Sequence, residues 1–177
     1  MAFFDNTLVF SSLTAGQQVT ATANSTVIDL TGAGSGNAPT MINGFPATNT
    51  AIGFDIGAGD GEAIPYLYLS VKAKGTNTGS LTIALQAAPD NGSYSPGTYT
   101  QLWISPSVTA NNLVVGDSLL VPVPPTLFNF PSEALPRFYR VVYTVTGTVD
   151  LTFVAGLILN PPSTLLLGQY NNNFVVV

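Results

Sequence analysis

Apolar and polar positions alternate most cleanly from Tyr66 to Lys74, with Leu67, Leu69, Val71 and Ala73 on one side and Tyr66, Tyr68, Ser70, Lys72 and Lys74 on the other. A period of two is the signature of a strand with one face buried. After the turn residues Thr76, Asn77 and Thr78, the odd positions Leu81, Ile83, Leu85 and Ala87 continue an apolar face while Thr82 and Gln86 fall outside it. The two runs predict a hairpin. The longest such pattern, from Arg137 to Leu159, places β-branched and aromatic residues on both sides of Thr146, Gly147 and Thr148, the composition of two antiparallel strands joined tightly. A three-residue loop there would face Val145 with Val149, Tyr143 with Leu151, Val141 with Phe153 and Tyr139 with Ala155, apolar against apolar throughout. A two-residue loop would set Arg140 opposite Phe153 and Thr144 opposite Val149, so the pattern favours the longer one. Phe138, Val142, Val154 and Ile158 make parts of the second face apolar too, as expected of strands covered on both sides.

The remaining elements gather around this stretch. Leu8 to Phe10 is a short strand candidate, and Gln17 to Thr22 with Thr26 to Leu30 reads as two strands or one bent strand broken near Asn24 and Ser25. From Thr31 to Gly53 the chain is rich in Gly, Ala, Asn, Thr and Pro, a long surface loop or arm. Asp55 to Ala63 and Pro89 to Gly97 are dense in turn formers. Tyr99 to Ser105, carrying Trp103, and Leu119 to Val123 are further strands; Pro131 and Pro136 frame the entry to the central stretch, and Pro161 and Pro162 end it. Thr164 to Val177 is an apolar, uncharged tail that would aggregate if free and is expected to be paired. Nothing shows a 3.6-residue period. Strands spaced roughly 8 to 15 residues apart predict an all-β fold, a jelly-roll type β-sandwich of about eight to ten strands, spanning 1–160 with 31–53 as an insertion and 161–177 as a C-terminal arm.

Composition narrows the function. A chain of 177 residues can bury a core without staples, and it contains neither cysteine nor histidine. Disulfides, Cys-ligated zinc, thiol chemistry and Ser/His/Asp catalysis are thereby excluded, along with the commonest metal ligand and pH switch. Only 9 acidic and 4 basic side chains are present, 7% of the residues, where soluble proteins average about 25%. With 46% hydrophobic residues, such a surface is expected to be covered by other protein. Four basic residues and a net charge of −5 argue against nucleic acid. No signal peptide and no run long enough for a membrane helix is expected.

Candidate chemistry is sparse. Gly32, Gly34 and Gly36, and Gly57, Gly59 and Gly61, match no nucleotide-binding spacing and read as flexible turns. Asp55, Asp60 and Glu62 form the one acidic cluster and are weak metal candidates, since their spacing misses the EF-hand pattern. Arg137 and Arg140 flank Phe138 and Tyr139, which fits sheet-face packing or a subunit salt bridge better than stacking on a sugar or base. Tyr66, Tyr68, Tyr94, Tyr99 and Trp103 invite a lectin reading, although interface aromatics suit the charge-poor surface better. No cofactor is called for.

The order of segments resembles the jelly-roll capsid cement (decoration) proteins of short-tailed bacteriophages, of the Bordetella phage type. The similar pieces are Leu8-Val9-Phe10-Ser11, Val19 to Ala23 leading to Ile28-Asp29-Leu30, and Asp55 to Gly59 before Tyr66-Leu67-Tyr68-Leu69. They continue with Leu81 to Gln86 before Asp90-Asn91, Val121-Pro122-Val123-Pro124, Arg137 to Val141 with Tyr143 and Gly147, and Ala155-Gly156-Leu157. The resemblance implies a non-enzymatic homotrimer on the outer capsid surface of the virion, made in the host bacterial cytoplasm, that ties major capsid protein subunits together without nucleic acid or membrane. Thr31 to Gly53 and Pro161 to Val177 depart from the family pattern and are expected to be arms reaching neighbouring subunits. The interface candidates are Phe3, Phe4, Arg137, Arg140, Leu165, Leu166, Leu167, Tyr170, Phe174 and Val175. The alternative is a carbohydrate-binding jelly-roll module on a phage surface or fibre, and a carboxylate hydrolase is a weaker third.

Overall fold

The computed structural model describes residues 8–29, 65–91, 93, 95–123 and 136–159, with the backbone of 41–42 and 45–46. The strands are β1 (Gln17–Val19), β2 (Ala23–Asn24), β3 (Ile28–Asp29), β4 (Met41–Ile42), β5 (Phe45–Pro46), β6 (Pro65–Lys74), β7 (Ser80–Ala88), β8 (Thr100–Ile104), β9 (Val108–Thr109), β10 (Ser118–Pro122), β11 (Phe138–Thr146) and β12 (Leu151–Leu159). The first sheet runs β1-β12-β6-β10; in the second, β11 and β7 are central, flanked by β2 and β3 on one side and β8 and β9 on the other. β1 pairs with β12, β2 and β3 with β11, β6 with β10, and β7 with β8 and β9, all antiparallel. This nesting of first strand with last and second with second-last is a jelly roll, the class expected from the strand spacing. β4 and β5 pair only with each other, a short ladder inside the stretch expected to be loop. The break near Asn24 and Ser25 separates β2 from β3.

Both predicted hairpins are corrected. β11 lies in the second sheet beside β7, and β12 lies in the first beside β6, so neither β11 with β12 nor β6 with β7 forms a ladder. The chain arches across the core at both places. Facing apolar residues arise equally well from two strands packing across a sandwich, and here the stacked rings of Tyr143 and Phe153, 5.4 Å apart, meet across that gap. The true ladder sets Tyr139, Val141, Tyr143 and Val145 against Ala87, Leu85, Ile83 and Leu81, another strand with the same alternation. Two partners with identical patterns leave the pairing undecided at the level of hydrophobicity.

The two arches lock into each other. Gly75 N–H donates to Asp150 O at 2.8 Å, and the N–H groups of Thr78 and Gly79 both donate to Thr148 O at 2.9 and 2.8 Å. Asn77, 7% exposed, donates from Nδ2 to Gly75 O and Asp150 O and accepts from Asp150 N–H at 2.7 Å. Gly147 turns the second arch at φ 78°, the left-handed region where a side chain is strained. Asn77→Ala is expected to remove the Asn77 bonds to Gly75 O and Asp150 N–H, leaving Asp150 O with Gly75 N–H alone, at a cost of about 2–3 kcal/mol and a Tm lower by roughly 4–12 °C in a thermal melt.

Inward residues of both sheets form one core around Phe10, Val19, Leu67, Leu85, Val141, Tyr143, Leu151, Phe153 and Leu157. Tyr143 is wholly buried and its hydroxyl has no hydrogen-bond partner. Burial raises its pKa. An acid whose pKa is higher folded than unfolded contributes fully below the unfolded value, near 10, and loses that contribution as pH climbs above it. Tyr143→Phe is therefore expected to be neutral or stabilising by about 1 kcal/mol at pH 7 and to flatten the alkaline loss of stability, checked by urea titrations at pH 7 and about 10.5.

Candidate interaction surface

Eight charged side chains lie among the described residues, four acidic and four basic. On the second sheet, Arg137 stands at the entry to β11 beside the end of β3. Its Nε donates to Asp29 Oδ1 at 2.8 Å and Nη2 to Asp29 Oδ2 at 2.9 Å, a bidentate fork, while Nη1 contacts the Asp90 carboxylate. Asp29 is wholly buried and Arg137 nearly so, with side-chain exposures of 0% and 10%. The Asp29 hydrogen bond raises the Arg137 pKa; burial opposes it, and the charges of Asp29 and Asp90 add to the rise. The guanidinium also lies 4.8 Å over the Phe138 ring. The clasp ties β3 and the Asp90 turn to the start of β11.

Three residues beyond Arg137, Arg140 donates from Nε and Nη2 to Gln86 Oε1 at 2.9 and 2.8 Å and lies 3.7 Å from the centre of the Tyr99 ring. Desolvation raises the Tyr99 pKa, with Arg140 pulling it down, and the Tyr99 hydroxyl is buried without a partner. Arg137 and Arg140 thus belong to sheet-face packing within the chain. Lys72 and Lys74 sit at the opposite, arched end, where Lys74 Nζ donates to Asn111 O at 2.7 Å.

The described carboxylates also have structural partners. Besides Asp29 and Asp90, Asp117 Oδ2 accepts from Val114 N–H at 2.8 Å and Asp150 Oδ1 accepts from Gln18 Nε2 at 2.8 Å. Among the described residues no three His, Cys, Asp or Glu side chains are grouped as a metal site would require. Asp55, Asp60 and Glu62 lie outside the described residues, as do Phe3, Phe4, Leu165, Leu166, Leu167, Tyr170, Phe174 and Val175. Tyr94 does too.

Of the aromatics that suggested a sugar platform, Tyr66, Tyr68, Tyr99 and Trp103 are all half-buried, with Tyr99 under Arg140 and Trp103 packed on the core. A cleft of about 450 Å³ opens between Ser11, Ser12, Gly16 and Gln17 on one side and Asn24 to Thr26 on the other. Its lining has no charged side chain and no exposed ring. The exposed large apolar residues among those described are Leu13, Ile104, Val114 and Val115, the last at 61% on the turn closed by Gly116. The turn is legible as Val-Val-Gly-Asp, but only the structure shows that both valines face outward. No helix among the described residues is long and apolar enough to cross a membrane. No family model matches the chain, and no curated protein shows significant similarity to it.

Proposed function

We propose that this chain is a structural virion protein, a cement or decoration protein that seats as a homotrimer on the outside of an icosahedral phage head and strengthens contacts between major capsid protein subunits. The observation that carries the reading is how the chain spends its few charges. Both arginines are consumed on the face of the second sheet, and each described carboxylate serves a backbone or side-chain partner of its own chain. What remains outside is a jelly-roll surface with few free charges and no catalytic grouping among the described residues, suited to many modest contacts repeated over a lattice. The order of segments shared with the cement proteins supplies the partner. The protein is accordingly read as no enzyme, binding neither nucleic acid nor membrane.

The test is to mix purified protein with phage heads lacking their decoration and sediment them. Saturable co-sedimentation at a fixed ratio to the major capsid protein is expected, with a gain in the temperature at which heads rupture. Failure to co-sediment at micromolar protein would contradict the proposal. A glycan array, with and without calcium, should stay blank; reproducible binding to one sugar class would favour the carbohydrate-binding alternative.

A further inference from the structure

Two closed turns hold apolar side chains outward at the arched end of the first sheet. In turn 114–117, Val114 N–H donates to Asp117 Oδ2 at 2.8 Å and Asp117 N–H to Val114 O at 3.1 Å. Gly116 N–H donates to Val71 O at 2.8 Å and Val71 N–H to Asp117 O at 2.9 Å, which pins the turn to β6. Val114 and Val115 are nevertheless 54% and 61% exposed. Turn 12–16 closes through Gly16 N–H to Ser12 O at 2.7 Å and Ala15 N–H to Ser12 Oγ at 3.0 Å, and it leaves Leu13 exposed. Lys72 stands between the two turns. Its Nζ donates to Leu13 O at 3.5 Å, it follows Val71 in the chain, and the register of β6 with β12 skips it as the extra residue of a bulge.

Lys74 lies at the same end, bonded to Asn111 O in the segment that leads to the valines. Both lysines of the chain thus reach backbone carbonyls only. Among the described residues the ion pairs are those of Arg137 with Asp29 and Asp90, while Asp117 and Asp150 are turned to Val114 N–H and Gln18 Nε2. Three of the four large apolar residues exposed among those described therefore gather with both of the chain's lysines. Single exposed hydrophobes are ordinary, but a cluster presented by two hydrogen-bonded turns beside uncompensated cations is the composition of a contact surface. Turns already fixed by their own bonds lose little freedom when they dock.

We infer that this end is the surface that seats on the major capsid protein, and that it fits an apolar recess rimmed by carboxylates. The recess takes Leu13, Val114 and Val115, and the carboxylates meet Lys72 and Lys74. The inference rests on the cement reading and adds to it which end of the jelly roll faces the head and the charge of what it meets. Arg137 and Arg140 are engaged within the chain by Asp29, Asp90, Gln86 and Tyr99, so the lysines are the cations left to pair outside it. An anionic membrane matches the same residues less well, because the net charge of −5 opposes it and the exposed set holds no aromatic ring.

The test titrates undecorated phage heads with the full chain and its variants and measures bound protein by sedimentation. Val114→Ser with Val115→Ser is expected to weaken binding about tenfold or more. Lys72→Gln with Lys74→Gln is expected to weaken it too and to flatten its dependence on salt. Ile104→Ser, which alters the exposed apolar residue of the other sheet, is expected to bind like the unaltered chain. Unchanged binding of both double variants would overturn the inference and leave the cement reading standing, whereas no binding by the unaltered chain would contradict the cement reading and the inference with it. A second measurement does not depend on those variants folding. Val115→Cys, the sole cysteine of its chain, is labelled with a photo-crosslinker and is expected to attach to the major capsid protein on decorated heads; attachment only to other copies of this chain would overturn the inference. Vesicles of phosphatidylcholine and phosphatidylglycerol are expected to pellet none of the protein, and binding to them that both double variants lose would assign the surface to a membrane instead.

Discussion

Asp29→Ala is expected to destabilise the domain by about 3–5 kcal/mol, lowering Tm by roughly 6–20 °C, because it leaves the buried Arg137 charge without its bidentate partner. The cost reflects stranding rather than the worth of the pair. Asp29→Leu together with Arg137→Met, which removes both charges from the same volume, should cost markedly less than Asp29→Ala alone. The arginine side of this contribution is flat over working pH. A cation whose pKa is raised on folding contributes fully below its unfolded value and loses that contribution only as pH rises through the folded one, beyond the working range. Trp103 is the single tryptophan and packs against the core, so denaturant titrations followed by its fluorescence measure each variant.

Gly79→Ala is the second large effect, and it acts through backbone alone. A Cβ at Gly79 would lie 2.2 Å from Thr146 O and 2.9 Å from Gly147 C, atoms of the opposing arch with no flexible end to move aside. Relieving the contact means parting the arches and loosening the bonds from Thr78 and Gly79 to Thr148 O, for an expected loss of 3 kcal/mol or more, about the cost of a serious core defect. Gly116→Ala is the control. Its Cβ meets nothing within 4 Å, but its φ of 96° still strains a side chain, so about 1 kcal/mol is expected from conformation alone. Near-equal losses at the two positions would refute the interlocked arches as a source of stability.

The class of fold was legible because strand periodicity is local: Leu67 to Ala73 and Leu81 to Ala87 announce their buried faces without knowledge of their partners. The pairing was not legible, because β7 offers β11 the same alternation that β12 does, and the difference between a hairpin and an arch lies in how Gly75 to Gly79 and Gly147 to Asp150 pack on each other. Burial on the second face was readable at Phe138 and Ile158, which are 1% and 4% exposed. The ion clasp was half readable. Arg137 is conspicuous beside Phe138, but Asp29 stands 108 residues away, and nothing in its local sequence marks a buried carboxylate. Leu13, Val114 and Val115 join Lys72 at one end of the first sheet only through bonds between distant segments, which no local pattern displays.

The mass of the purified protein in solution tests the assembly reading most directly. Light scattering from dilute to milligram-per-millilitre concentration is expected to give three times the 18.4 kDa chain, constant with dilution. A chain that stays at 18.4 kDa over that range would contradict the homotrimer and leave an isolated binding module as the better account.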